Sequence, residues 1–270
     1  MKQPPWDTDA MSSLRVALTR EGPVARVVLA RPEARNALDG GMVRELREAF
    51  ETLSAQDDVR VIVLSGRGSA FCAGADLEWM QRVAGFTREE NLADARGLLD
   101  LFETIDLSPK AVVAAVHGAA LGGGAGLLAV ADVAVAAEGA RIGFTEARLG
   151  LVPAVISPYV ARKIGLAAAR ELFLTGERFT ASRAASLGLV QRVVPPAELD
   201  AAVDERVGEL LQSAPGAIAA AKALLRGVGG RPVESVAELV CQVLADRRAS
   251  AEAREGVLAF LEKRKPGWAR

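Results

Sequence analysis

The sequence predicts an α/β domain that is followed by an all-helical C-terminal segment. Strand-type and helix-type segments alternate through the first two thirds of the 270 residues, whereas the last third shows helical patterns only. Hydrophobic residues make up 50% of the chain, which is enough to bury a substantial core. We therefore expect a poorly ordered leader over residues 1–12, an α/β core over 13–195 and a helical segment over 196–270.

The first elements are a hairpin, a helix and a buried strand. The stretch from Leu14 to Pro32 contains two strand-type segments around the turn REGP. Apolar residues then recur at helical spacing between Met42 and Leu53. The continuous apolar run VRVIVLSG, which starts at Val59, indicates a strand that is buried on both faces.

The same order continues along the chain. PKAVVAAVHG is a second buried strand, a glycine loop and the helix AGLLAVA follow it, and DVAVAAEGARIGF predicts two short strands around EGA. Residues 111–131 lack charged side chains, but their glycines favour a buried βα unit over a membrane-spanning helix. The remaining segments are helical and end with one long segment from Val233 to Lys263.

Composition excludes several functional classes. The net charge of -1 does not suit binding of nucleic acid through bulk charge. One histidine and two distant cysteines cannot supply a usual zinc site, and the patterns of dinucleotide-binding and phosphate-binding loops are absent. Because Cys72 and Cys241 stand far apart and no secretory signal is seen, we expect free thiols and a cytoplasmic protein without a membrane partner.

Two glycine-rich loops directly follow the buried strands, namely FCAGAD and ALGGGAG. Glycine at such places lets a ligand approach the backbone closely. Two loops after neighbouring strands could each aim one N–H group at a single point, which would form an oxyanion hole. Glycines after strands are also common in plain turns, so the spacing alone leaves both interpretations open.

Six motifs in a fixed order give a more specific indication: RPEARNAL, GRGSAFCAGADL, VHGAALGGGAGL, GFTEARLGLVP, LTGERFTASRAASLGLVQRVVP and AFLEKRKPGW. Together they resemble the enoyl-CoA hydratase/isomerase (crotonase) superfamily from about residue 14 to residue 268. GADLEWM and EARLGLVPAVISPYV further resemble its methylglutaconyl-CoA hydratase branch. The resemblance implies a spiral of ββα units, C-terminal helices that assemble trimers or hexamers, an acyl-CoA thioester as substrate and no separate cofactor or metal.

The resemblance also implies roles for individual residues. The N–H groups of Ala75 and Gly123 would form the oxyanion hole around the thioester carbonyl, and Glu146 matches one of two catalytic glutamates of the family. The position of the other glutamate is occupied by Gly126, so Glu146 is the single matched carboxylate. The substrate-binding positions implied in the same way are Ala73, Gly74, Asp76, Leu77, Glu78 and Gly126.

Several residues near these motifs have simpler interpretations. Asp76 is expected to cap the helix LEWMQRV, and Asp132 to hold the start of a strand by hydrogen bonds. Cys72 and His117 are expected to be packed, with a proton-shuttle role for His117 as the alternative. Trp79 is expected to form a wall of the acyl pocket or of an interface.

The resemblance implies an enzyme that adds water to a branched or carboxylated 2-enoyl-CoA. Arg148 is expected to be structural, with contact to a carboxylated acyl tail as the alternative. Because a single glutamate also fits the Δ3,Δ2-enoyl-CoA isomerases of the family, isomerisation is the first alternative function. A catalytically silent fold that binds RNA or protein is the second, although the near-neutral charge and the retained Glu146 oppose it.

Overall fold

The structure, a computed structural model, describes residues 15–269 and contains two β-sheets. The leader predicted over residues 1–12 lies outside the described residues. The strands of the described part are β1 (Val16–Glu21), β2 (Val24–Leu29), β3 (Val61–Gly66), β4 (Ala111–Val116), β5 (Ala119–Leu121), β6 (Val133–Ala137), β7 (Arg141–Gly143), β8 (Arg178–Thr180) and β9 (Arg192–Val194).

Helices connect and cover these strands. Short 3-10 helices occur at Pro32–Ala34, Glu146–Leu149 and Pro196–Glu198. Within residues 15–269 no helix is both long and apolar enough to cross a membrane. The α-helices of this range are α1 (Gly40–Ala55), α2 (Leu77–Val83), α3 (Arg88–Leu107), α4 (Gly123–Val130), α5 (Ser157–Thr175), α6 (Ala181–Ser186), α7 (Leu199–Gln212), α8 (Pro215–Val228), α9 (Val233–Ala249) and α10 (Ala251–Leu261).

The larger sheet has the strand order β1-β2-β3-β4-β6-β9. β1 and β2 form the predicted antiparallel hairpin, and every later pairing in this sheet is parallel. The smaller sheet has the order β5-β7-β8. In the sequence, β5 follows β4 and β7 follows β6, so the chain passes twice from the larger sheet to the smaller one. The two short strands predicted around EGA therefore exist as β6 and β7, but they belong to different sheets.

The central strands β3, β4 and β6 of the larger sheet are buried on both faces, as the continuous apolar runs predict. Ile62 and Leu64 of β3 point into the main core, whereas Val61 and Val63 point to the opposite face, where they pack with helix α7. α7 begins at Leu199 and thus after the predicted boundary at residue 195, yet it covers one face of the sheet. The first helix of the C-terminal segment is therefore part of the core.

Two helices differ from their predicted bounds. The predicted segment from Val233 to Lys263 is divided at Ser250, whose backbone is extended and whose side chain accepts a hydrogen bond from the N–H of Ala253 at 3.1 Å. This serine caps α10 and so starts a new helix. Helix α4 begins inside the glycine triplet, at Gly123, and not after it.

Candidate active site

A cavity of about 1020 Å³ lies where the two glycine-rich loops meet α1, α2 and α3. A volume of this size is at the upper end of the range for small-molecule sites. Six of the nine sequence-predicted site residues line it: Ala73, Gly74, Ala75, Leu77, Gly123 and Glu146.

The two glycine-rich loops are in direct contact with each other. Cys72 and Ala120 form a parallel bridge, so the first loop runs beside β5. Gly74 has a φ of +98°, and a Cβ at this position would lie 2.9 Å from the carbonyl oxygen of Leu121. Glycine is required here because both the backbone conformation and the contact exclude a side chain.

The N–H of Ala75 has no hydrogen-bond acceptor among the described residues. Ala75 forms a bridge with Leu38, in which the N–H of Leu38 donates to Gly74 at 2.7 Å and the N–H of Asp76 donates to Leu38 at 3.0 Å. The N–H of Ala75 itself points away from this bridge and donates to no other described residue.

The N–H of Gly123 is free for a different reason. Gly123 is the first residue of α4, and the first N–H groups of a helix have no acceptor within the helix. No other acceptor for it occurs in residues 15–269. Leu38 lies beside both amides, since its Cδ1 would be 2.7 Å from a Cβ at Gly123. Helix N-termini also carry partial positive charge, which favours a developing oxyanion.

Glu146 reaches the same place through the smaller sheet. Leu121 at the end of β5 pairs with Gly143 at the end of β7, and the N–H of Gly122 donates to Gly143 at 2.8 Å. Three residues later the chain starts the 3-10 helix that carries Glu146. The Glu146 carboxyl lies close to Gly122, because a Cβ placed on Gly122 would be 3.3 Å from Oε1 of Glu146.

The Glu146 carboxyl is half-buried in the cavity lining. Burial raises its pKa above the ordinary value of 4.5, and a hydrogen bond from its own backbone N–H offsets part of that rise. Its Oε2 is buried and has no hydrogen-bond partner among the described residues. A half-buried carboxyl with a raised pKa and one unoccupied oxygen in a cavity is typical of a general acid or base.

Comparisons with known proteins agree with this geometry. The sequence model of the enoyl-CoA hydratase/isomerase family matches residues 19–270. The chain belongs to this family. A relative in Thermus thermophilus is 40% identical over 246 residues, which cover 91% of this chain and 97% of the relative. The carnitinyl-CoA dehydratase of Salmonella enteritidis is 38% identical and covers 93% of this chain and 97% of its own length.

Solved structures of relatives confirm the predicted fold. An enoyl-CoA hydratase from Shewanella pealeana superimposes with a TM-score of 0.91 at 38% identity and covers 94% of this chain and 96% of its own. AtuE of Pseudomonas aeruginosa superimposes with a TM-score of 0.91 at 38% identity, and the match covers 95% of this chain and 100% of AtuE. The predicted crotonase-like spiral with a helical C-terminal segment is therefore correct.

Two residues that the resemblance assigned to substrate binding do not line the cavity. Asp76 is buried, accepts the N–H of Trp79 at 3.0 Å as the cap of α2 and pairs with Arg31 at 3.0 Å. Glu78 is exposed on α2 and lies outside the cavity lining. Both residues lie within the motif GADLEWM, but residues that are adjacent in a motif point in different directions. Ala75 and Leu77 line the cavity, whereas Asp76 and Glu78 do not.

Gly126 does not line the cavity either, and side chains of other residues pack directly against it. A Cβ on Gly126 would lie 2.4 Å from Cγ2 of Ile156 and 3.0 Å from Cε1 of Phe102. Ile156 lines the cavity, and Phe102 is fully buried. Two apolar side chains thus occupy the space into which a carboxylate at this position would extend.

We expect Gly126→Glu to lower stability and not to raise hydration. The larger side chain must displace Ile156 or Phe102, and overpacking of a core typically costs about 1–3 kcal/mol. The urea midpoint of unfolding should fall, and kcat should not increase on any enoyl-CoA tested. Gly139→Glu is a matched control because a Cβ on Gly139 meets no atom within 4 Å. An active, equally stable Gly126→Glu protein would contradict the packing described above.

The remaining predicted residues have identifiable partners. Nε2 of His117 lies 3.0 Å from the carbonyl oxygen of Gly68, outside the cavity lining. Burial raises the pKa of the Cys72 thiol to about 12, so it is not a nucleophile at neutral pH. Asp132 accepts the N–H of Val112 at 2.7 Å, as expected for a residue that holds a strand.

Asp94 is a cavity residue that the sequence did not reveal. It is half-buried, lines the cavity from α3 and has a pKa that burial raises, whereas the Trp79 side chain lowers it. No motif marks it, and α3 shows only a general helical pattern. A helical face with Asn91, Asp94, Leu98 and Phe102 at spacings of three or four is the one signal by which it could have been found.

Proposed function

We propose that the protein hydrates a 2-enoyl-CoA to a 3-hydroxyacyl-CoA, with Glu146 as the single catalytic carboxylate. The observation that carries this proposal is the convergence of three groups on one cavity: the free N–H groups of Ala75 and Gly123 and the unpartnered Oε2 of Glu146. Two backbone donors can stabilise the enolate of an enoyl thioester, and one proton carrier can serve the addition of water to its double bond.

The proposed reaction uses one water molecule and leaves Glu146 unchanged. The amides of Ala75 and Gly123 polarise the thioester carbonyl and stabilise the enolate that forms. Water adds to the β-carbon while ionised Glu146 accepts one of its protons. Glu146 then delivers that proton to the α-carbon on the same face, so that the enolate collapses to the hydroxyacyl product. No metal or redox cofactor takes part, since the thioester itself accepts the electron pair.

We further propose that the acyl group is branched or carries a carboxylate near the reacting carbons. Apolar side chains from the segment after Glu146 give the cavity a wall, including Val152, Val155 and Ile156. Arg148 and Arg178 also line the cavity, and no carboxylate within residues 15–269 pairs with either guanidinium. Such arginines are suited to an anionic group of the substrate.

A mass-spectrometric assay tests the proposed function directly. The protein is incubated with straight, branched and carboxylated 2-enoyl-CoA esters and with their 3-enoyl isomers. We expect at least one 2-enoyl ester to gain the mass of one water. Movement of the double bond without that gain would establish the isomerase alternative, which the single carboxylate keeps open. No change in any ester would indicate the silent binding fold.

We also propose that the chain assembles as a trimer or hexamer. Large apolar side chains are exposed on the outer helices, with Leu166 at 79%, Leu174 at 73% and Phe260 at 83% of full exposure. Val257, Leu258 and Leu261 of α10 are exposed as well. Apolar surface of this extent on α5 and on the C-terminal helix α10 is typical of surfaces that are covered in an assembly.

Light scattering at micromolar concentration should give the mass of a trimer or hexamer of the 28.3 kDa chain. Phe260→Glu should shift the distribution toward smaller species, because a charge would enter an apolar contact. Leu18→Glu, at an exposed position on β1, is the matched control and should not shift it. A monomer as the sole species of the unmodified protein would contradict the proposal.

A further inference from the structure

Helix α3 extends along the cavity away from the two glycine-rich loops. Phe102 of α3 lies within 4.0 Å of a Cβ placed on Gly123, next to the free amide. Asn91, Asp94, Ala95 and Leu98 line the cavity from earlier turns of the same helix. At a rise of 1.5 Å per residue, Asp94 lies about 12 Å along the helix from Phe102. Asp94 therefore belongs to the far end of the cavity and not to the reacting centre.

Asp94 of α3 and Trp79 of α2 both line the cavity. Burial raises the pKa of Asp94, the Trp79 side chain lowers it, and no guanidinium of the described chain contributes. Trp79 is itself fixed on three sides. Its ring would lie 2.9 Å from a Cβ on Gly40, the guanidinium of Arg82 lies 4.9 Å from the ring centroid, and Phe86 packs edge-on at 6.1 Å.

Asp94 has no ion-pair partner in the described part of the chain, although Arg44 and Arg47 of α1 also line the cavity, where Arg47 pairs with Glu51 and Asp100. Asp39, another carboxylate of the lining, pairs with Arg31 at 3.0 Å, whereas Asp94 forms no ion pair among the described residues. The amide nitrogen of Asn91 donates to the carbonyls of Phe86 and Thr87, so it does not offset the charge. A negative charge in a half-buried apolar site repels a second anion strongly.

We propose that Asp94 is a specificity-determining residue that disfavours acyl chains with a carboxylate at their far end. This inference rests on the proposed binding of an enoyl-CoA in the cavity and makes its selectivity more specific. A carboxylate close to the reacting carbons does not reach Asp94, so short carboxylated acyl groups are unaffected. Longer chains that end in a methyl group or another uncharged group extend past Leu98 without encountering a like charge.

The test compares trans-2-decenoyl-CoA with trans-2-decenedioyl-CoA, which differ only in the terminal group. The unmodified protein should show the higher kcat/KM on the methyl-ended ester. Asp94→Asn removes the charge and keeps nearly the same side-chain shape. It should raise kcat/KM on the diacid ester by about tenfold or more relative to the methyl-ended ester. Glu103→Gln, an equal loss of charge on the exposed side of α3, should leave the ratio unchanged.

Binding measurements separate this inference from the proposed function. Calorimetric dissociation constants for decanoyl-CoA and its ω-carboxylated analogue require no turnover, and Asp94→Asn should change their ratio in the same direction. A binding ratio that responds to Asp94→Asn while no ester is hydrated would contradict the proposed function alone. A ratio that Asp94→Asn leaves unchanged, or a preference of the unmodified protein for the diacid, would overturn the inference.

Discussion

Glu146→Gln is expected to lower kcat by about 10²–10⁴ on the best substrate, which is the range that a general acid–base group contributes. Glutamine has nearly the same shape but cannot take a proton from water. The loss should appear in kcat, with little change in the affinity for a CoA ester, because the amides that bind the carbonyl are untouched. Rates and product masses should be measured on the same samples.

The fold should survive this substitution. Burial raises the pKa of Glu146, so the folded chain holds its proton more tightly than the unfolded chain does. The contribution of this carboxyl to stability is therefore largest below its ordinary pKa of 4.5 and declines as the pH rises through the higher folded pKa. At neutral pH the neutral glutamine should leave the thermal midpoint unchanged or higher. Glu138→Gln, at an exposed turn, is the matched control. Wild-type kcat in Glu146→Gln would refute the mechanism.

Gly123→Pro is expected to lower kcat by about 10²–10³, the usual cost of losing one donor of an oxyanion hole. Proline lacks the N–H group but is well accepted at the first position of a helix, where that group makes no helical hydrogen bond. The circular dichroism spectrum should thus be preserved while turnover falls. Steady-state kinetics on the best substrate give the measurement.

Gly123→Ala separates the donor from the added bulk. Both variants place a Cβ against the end of the flexible Leu38 side chain, at 2.7 Å before adjustment, but alanine keeps the N–H. The difference between the two variants therefore reports the hydrogen bond alone. Equal turnover in the proline and alanine variants would remove Gly123 from the proposed oxyanion hole.

Local patterns were sufficient to predict much of the fold. The alternation of Ile62 and Val63 between two faces follows directly from the period of a strand, and the continuous apolar run already indicates that both faces are covered. The hairpin of β1 and β2 follows from its turn residues. The division at Ser250 was missed because a single serine in a long helical pattern gives a weak signal until its extended backbone is seen.

The candidate site was less accessible to sequence reasoning because its residues meet across distant elements. The side chains of Phe102 and Ile156 fill the space beside Gly126, but one precedes Gly126 in the sequence and the other follows it. Asp94 becomes a cavity residue only when α3 packs beside α1 and Trp79 of α2 lines the same cavity. Neither periodicity nor a family motif records such contacts.

The claim that Glu146 is the single catalytic carboxylate is tested most directly by the pH dependence of kcat/KM on an uncharged short-chain 2-enoyl-CoA. Glu146 must be ionised to accept a proton from water, so activity should fall as the pH is lowered through its pKa. Because burial raises that pKa, the fall should be centred above 4.5 and should follow one ionisation. The residual activity of Glu146→Gln should lack this acidic limb. Two acidic ionisations, or a limb that persists in Glu146→Gln, would contradict the account.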